Sequence, residues 1–120
     1  MYNLLIQPTI FTENHIDGNY EYLNFDDKGI IKIEVIDTKI IIHLIYVLPE
    51  FTGNGVGSKM LSALCEVANL YGFVICLVAE SVDHKAITTN QLILWYAKFG
   101  FISSNNDKQT MTRYLSLDIL

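Results

Sequence analysis

Two periods of apolar residues alternate along this chain, and each predicts a different element. Residues 30–36 read Ile-Ile-Lys-Ile-Glu-Val-Ile, with Lys32 and Glu34 set between apolar neighbours, the period of two expected of a half-buried strand. Asp26-Asp-Lys-Gly29 predicts the turn before it and Asp37-Thr-Lys39 the turn after it. Residues 40–47 are apolar nearly throughout, His43 excepted, which predicts a strand buried on both faces at the centre of a sheet. Upstream, residues 4–6 and 20–25 predict short strands and residues 12–19, rich in turn formers, a loop.

After Pro49 the period lengthens. Val56, Met60, Leu61, Leu64, Val67, Ala68 and Tyr71 recur at steps of three and four, the buried face of a helix that Gly72 ends. Residues 73–78 predict a second buried strand, and strand–helix–strand over this length implies a right-handed parallel crossover. Thr89 or Asn90 is placed to cap a further helix carrying Leu92, Trp95, Tyr96 and Phe99, with Gly100 as its stop. Residues 101–103 and 112–117 predict a terminal hairpin around Asn105-Asn-Asp-Lys108. The class is α+β: a mixed, mostly antiparallel sheet with a central strand–glycine-loop–helix–strand crossover. No repeat or linker interrupts the chain, whose only prolines are Pro8 and Pro49, so residues 1–120 read as one domain.

Composition narrows the function. With 51% hydrophobic and 18% charged residues the chain is globular, and its apolar runs are too short to span a bilayer, so no membrane is expected. The N-terminus lacks the features of a secretory signal, which points to the cytoplasm. Cys65 and Cys76 lie in apolar contexts without a CxxC or Cys/His cluster; buried reduced thiols are expected and no metal. Thirteen acidic residues against eight basic ones give a net charge of −5 without a Lys/Arg run, which disfavours nucleic acid. An acidic surface attracts a cationic acceptor, and it equally serves the solubility of any protein.

The chemistry concentrates in Val47-Leu-Pro-Glu-Phe-Thr-Gly-Asn-Gly-Val-Gly-Ser-Lys-Met60. Three glycines on alternate positions stand between a buried strand and an amphipathic helix. There the first helical turn has unpaired amides and the positive end of the dipole, and the missing side chains of Gly53, Gly55 and Gly57 let an anion come close. The plainer reading is a tight turn and close helix–sheet packing. Spacing removes two other phosphate sites: no Gly-Lys-Ser/Thr occurs, as a P-loop needs, and GxGxG after a meander is not the GxGxxG of a dinucleotide fold.

At this point the chain resembles the GCN5-related N-acetyltransferase (GNAT) family, whose signature is a strand ending in a Val-x-Pro-like turn and then [Gln/Arg]-x-x-Gly-x-[Gly/Ala] at a helix start. Thr52-Gly-Asn-Gly-Val-Gly57 matches at both glycine positions and departs at Thr52. The second signature, aromatic-Tyr-x-Lys-x-Gly-Phe, corresponds to Trp95-Tyr-Ala-Lys-Phe-Gly-Phe101. The resemblance covers roughly residues 29 to 117. It leaves out the two helices that the family places between its first two strands, for which residues 8–25 are too short. In this shortened N-terminal part the chain is similar to very short phage-encoded acetyltransferases, which would put it in a host cytoplasm.

The resemblance implies acetyl transfer from acetyl-coenzyme A (acetyl-CoA) to a primary amine, whether protein lysine, N-terminus, polyamine or small amine, with no metal; a homodimer stays open. It assigns the pantetheine arm to the backbone of Ile45, Tyr46 and Val47. The pyrophosphate falls to the loop Gly53, Asn54, Gly55, Val56, Gly57 and Ser58. Tyr96 corresponds to the tyrosine that protonates the departing thiolate, a role suited to a phenol that stays protonated at neutral pH; otherwise it is a core aromatic, as Trp95 and Phe99 are read to be. His43 is the candidate base, set by alternation on the face of Ile45 and Val47. The alternatives are a hydrogen-bonded core histidine there, and Glu80 or water as the base. His84 reads as a surface residue. Two rival functions remain: an inactive acyl-CoA-binding or protein-interaction module of the same fold, and a nucleobase-modifying relative.

Overall fold

In the computed structural model of the chain, residue 11, residues 13–81 and residues 87–115 are described. The strand expected at residues 4–6, His84 and the end of the last strand past residue 115 lie outside them. A meander of β1 (Glu13–Asp17), β2 (Tyr20–Phe25), β3 (Gly29–Ile36) and β4 (Lys39–Val47) leads through a single 3₁₀ turn, Pro49–Phe51, into α1 (Val56–Tyr71). Then come β5 (Val74–Val78), α2 (Thr89–Ala97), β6 (Phe101–Ser103) and β7 (Thr110–Arg113). Among the described residues these strands make one sheet of order β1-β2-β3-β4-β5-β7-β6, parallel only between β4 and β5.

The hairpin of β1 and β2 corrects the loop expected at residues 12–19. Gly18-Asn19 is a two-residue hairpin loop, Gly18 takes the positive φ of 61° that its first position needs, and pairing with β2 supplies the ladder that local propensity does not. The turn at residues 26–29 is tight in the same way, with Asp26 and Asp27 at φ 49° and 56°. Aspartate tolerates this region better than most residues.

Both helices lie on the same face of the sheet. The step from β4 to β5 and the step from β5 over β7 to β6 run in one direction across the sheet, and two right-handed crossovers in one direction put both helices on one side. That face holds the core: Ile31 and Ile33, Ile40 and Ile42, Ile75 and Leu77, and Met111 pack on Met60, Leu61, Leu64 and Ala68 of α1, with Tyr96 and Phe101 alongside. Tyr71, expected in this core, is exposed, and Cys65 and Ala63 take buried positions on α1 instead. Thr88 caps α2, ahead of the expected Thr89 and Asn90: its hydroxyl accepts from the Gln91 amide at 3.1 Å while its own amide donates to Gln91 Oε1 at 2.8 Å.

No described helix covers the opposite face. β4 is central, as its apolar run implies, but it is not buried on both sides: Leu44 is 41% and Tyr46 45% exposed, in company with Val78 at 59% and Ile102 at 60%. A strand that is apolar throughout can mark an open apolar face as well as a doubly covered one.

Gly29 starts β3 where there is no room for a side chain. A Cβ there would sit 2.8 Å from the Tyr46 carbonyl oxygen and 2.8 Å from Met60 Cε. The methionine end can swing away, but the carbonyl belongs to the β3–β4 ladder and cannot. Gly29→Ala is therefore expected to lower stability by about 1–3 kcal/mol, the usual cost of overpacking. Urea unfolding measures this, and an unchanged midpoint would refute the tight fit.

Candidate active site

The site begins with a skipped beat in β4. Lys32 pairs with Leu44 and Ile33 with Ile42, so His43 is the extra residue of a β-bulge. Along β4, Ile40 and Ile42 are buried, His43 and Leu44 are both exposed, and Ile45 and Val47 return to the helix side. A bulge bends its strand, and here the bend opens the sheet. β4 and β5 pair only from Lys39↔Val74 to Ile42↔Leu77 and then part. β5 is held away by β7: Val78 pairs with Thr110, the Ala79 amide donates to the Gln109 carbonyl at 2.7 Å, and Gln109 Nε2 donates back to the Ala79 carbonyl at 2.9 Å. Past Ile42, the β5 side of β4 thus has no ladder partner in β5.

A cavity of about 650 Å³ occupies the gap. Ile45, Val47, Trp95 and Tyr96 line it from the helix side, and Leu44 and Val78, which belong to the open face, line it from the other. The cavity therefore passes through the sheet.

Its helix-side end is the glycine loop. Gly53 and Gly55 have φ of 85° and 78°, and a Cβ on either would meet nothing within 4 Å. Glycine is required there by the backbone, and the space in front of the loop is open. Gly57 serves differently: a Cβ would lie 3.7 Å from the Trp95 ring and 3.8 Å from Val47 Cγ2, so its part is packing. Gly55 is the N-cap of α1 and gives no side-chain cap; the first helical bond is Lys59 N–H to the Gly55 carbonyl at 3.0 Å. The amides of Gly53, Gly55, Val56, Gly57 and Ser58 have no protein acceptor among the described residues, and the positive dipole end adds to their pull on an anion. The Asn54 amide differs, since it bonds the Phe51 carbonyl at 3.3 Å, and Asn54 does not line the cavity. The Thr52 hydroxyl is turned back onto the Pro49 carbonyl at 2.8 Å.

Tyr96 lies midway, buried against Phe101 and Trp95 with ring centroids 5.5 and 5.1 Å away. Burial pushes its phenol up to about 12, because the interior disfavours the phenolate. It is a neutral donor at any physiological pH. Glu80, just past β5, is exposed at the rim of the cavity. Burial also raises the Cys65 thiol, against a smaller lowering by Arg113; that cysteine stays a protonated core residue.

His43 lines the cavity but does not share the face of Ile45 and Val47, as strict alternation requires. The bulge breaks the alternation between His43 and Ile45, so the ring stays on the open face, where Nε2 lies 2.9 Å from Glu34 Oε1 and the ring meets Tyr20 edge-on at 5.2 Å. Tyr46 too is on the open face and does not line the cavity. Sequence reasoning passes over Glu34, since a bulge leaves no mark in a run of isoleucines. It also reads Trp95 as packing alone, whereas its ring walls the cavity as well.

A family model described as an acetyltransferase (GNAT) domain matches residues 17–103. The chain belongs to the GNAT acetyltransferase family. GNAT membership makes it an acetyl-CoA-dependent N-acetyltransferase, and the cavity fits that cosubstrate: unpaired amides at one end, an apolar channel, and a neutral phenol beside its middle. Solved structures repeat the GNAT fold. The anti-CRISPR protein AcrVA5 superposes with a TM-score of 0.62 at 24% identity, over 72% of this chain and 90% of that one. PaiA N-acetyltransferase from Thermoplasma acidophilum, crystallised with coenzyme A, gives 0.58 at 19% identity over 79% of this chain and 59% of its own. The ribosomal-protein-S18-alanine N-acetyltransferase of Escherichia coli gives 0.54 at 14%, over 87% and 81%. A search of curated proteins returns no match. Among the described residues no helix is long and apolar enough to cross a membrane, and no group of three or more His, Cys, Asp or Glu is arranged to hold a metal.

Proposed function

We propose that this GNAT enzyme acetylates a primary amine that enters from the open face of the sheet, by direct transfer from acetyl-CoA bound on the helix side. The observation that carries the reading is the cavity through the sheet, with the glycine loop at one mouth, His43 and Leu44 at the other and Tyr96 between. The amides of Gly53 and of Gly55 to Ser58 hold the pyrophosphate, and the unpaired edge of β4 at Ile45 and Val47 holds the pantetheine arm. Bound there, the cosubstrate supplies a thioester as acetyl donor. His43 removes a proton from the acceptor ammonium, with Glu80 as the other candidate, and Tyr96 gives its proton to the departing sulfur. Holding both reactants in one channel replaces a bimolecular encounter by a local one. The flat, apolar surround of the open mouth suits an amine carried on a polypeptide better than a small free amine, which would gain little from Leu44, Val78 and Tyr46.

Thiol release from acetyl-CoA tests this with four acceptors: a lysine-containing peptide, a peptide with a free N-terminal alanine, spermidine and tyramine. Turnover is expected to be fastest with the lysine peptide. Tight acetyl-CoA binding with no turnover on any of the four would favour an inactive binding module, a reading to which the Thr52 hydroxyl, engaged by the Pro49 carbonyl, lends weight.

A further inference from the structure

Beside the open mouth of the cavity a carboxylate and an imidazole are joined in a way that the transfer reaction has not yet used. Glu34 stands on β3 opposite Ile41 and Tyr20, on the open face. Its Oε1 lies 2.9 Å from His43 Nε2. His43 follows the buried Ile42, so its ring falls on the face of Ile41 and Glu34, and the bulge lets Ile45 and Val47 beyond it face the helices. Tyr20 closes the third side with its ring edge-on to the imidazole, and Lys32, two residues before Glu34 on this face, lies over the Tyr20 ring at 4.3 Å from the centroid.

We infer that Glu34 is a positioning residue for acetyl transfer, holding His43 at the acceptor mouth with Nδ1 as the basic atom. The inference rests on the proposed role of His43, and the chemistry of the pair fixes the atom. An ionised carboxylate only accepts hydrogen bonds, so a neutral imidazole bonded to it through Nε2 must carry its proton there. The lone pair is then on Nδ1. Nδ1 takes one proton from the acceptor ammonium, and the imidazolium so formed is stabilised by the Glu34 carboxylate. The neutral amine attacks the thioester carbon, the C–N bond forms and the C–S bond breaks. The sulfur leaves with the Tyr96 proton, and the phenolate recovers a proton from the acylated nitrogen. The proton on His43 returns to solvent, so the step closes with amide, thiol and one released proton. A side chain acting this way changes the rate of transfer without touching the cosubstrate.

Two measurements test this. The first is a double-mutant cycle on the native chain's best acceptor among the four, with Glu34→Ala, His43→Ala and the pair. Glu34→Ala is expected to lower kcat by about 10- to 100-fold with KM for acetyl-CoA and Tm unchanged, less than the roughly 100-fold or more that a general base itself contributes. Glu34→Gln, which keeps an acceptor oxygen but not the charge, should fall between. The double variant should be no slower than His43→Ala alone, because Glu34 acts only through His43. Multiplying losses, or a full-rate Glu34→Ala, would overturn the inference. A full-rate His43→Ala removes the histidine base and the inference with it, but leaves acetyl transfer standing. The second measurement needs no turnover: long-range proton–nitrogen NMR on labelled protein should find neutral His43 protonated on Nε2, with that preference lost in Glu34→Ala. A proton on Nδ1 would refute the assignment even if no tested amine were acetylated.

Discussion

Gly55→Glu is expected to weaken acetyl-CoA binding by at least about 100-fold, equivalent to two tenfold steps of 1.4 kcal/mol. Two effects add. A carboxylate appears among the amides of Gly53, Val56, Gly57 and Ser58, where it competes with the pyrophosphate for donors and repels its charge. A side chain is also forced onto a backbone at φ 78°, at a cost of about 1–2 kcal/mol. Gly55→Ala separates them, since it carries only the strain; it should lose stability and bind acetyl-CoA within about tenfold of the native chain, one such step. Isothermal titration of both variants measures this. Binding by Gly55→Glu at native strength would mean that the pyrophosphate is held elsewhere.

Tyr96→Phe should cut kcat by about 100-fold or more, the lower range for loss of a general acid, with acetyl-CoA affinity retained because the ring still packs between Trp95 and Phe101. Native activity with this substitution would reduce Tyr96 to packing. The same residue makes a stability prediction. Its folded value of about 12 is raised above the ordinary 10.0 of a tyrosine. The protonated form is thus favoured in the fold, and its contribution is complete below pH 10 and is lost as the pH rises toward 12. The shift is worth about 2–3 kcal/mol. Alkaline unfolding of the native chain should be steeper between these values than that of Tyr96→Phe, and identical curves would show that the phenol is not desolvated.

Much of this arrangement is legible in the residues because the features are local. Val56, Met60, Leu61, Leu64 and Gly72 define α1 and its stop without tertiary help, and Gly53 and Gly55 announce a backbone that other residues rarely adopt. Cys65 is buried, as its context implies, while Cys76, expected to be buried too, is only half-buried. What escapes depends on partners distant in sequence. β1 exists because β2 pairs with it, although its own residues favour turns. The open face escapes because an apolar strand looks the same whether helices cover one side or two. The face of His43 escapes because alternation counts residues, and a bulge changes the count.

That change in count reaches further than one histidine. A strand assigns sides by parity, so one inserted residue leaves everything before it on its original side and inverts everything after. With the bulge at His43, Ile40 and Ile42 upstream and Ile45 and Val47 downstream all face the helices, although their numbers differ in parity. Forced into an even pleat, the same nine residues would turn either the core isoleucines or the channel wall outward, whereas deleting His43 would restore the pleat with all four still facing the helices. Substitution in this strand is then a matter of degree, whereas loss of the extra residue would keep the core and remove the bend beside the cavity.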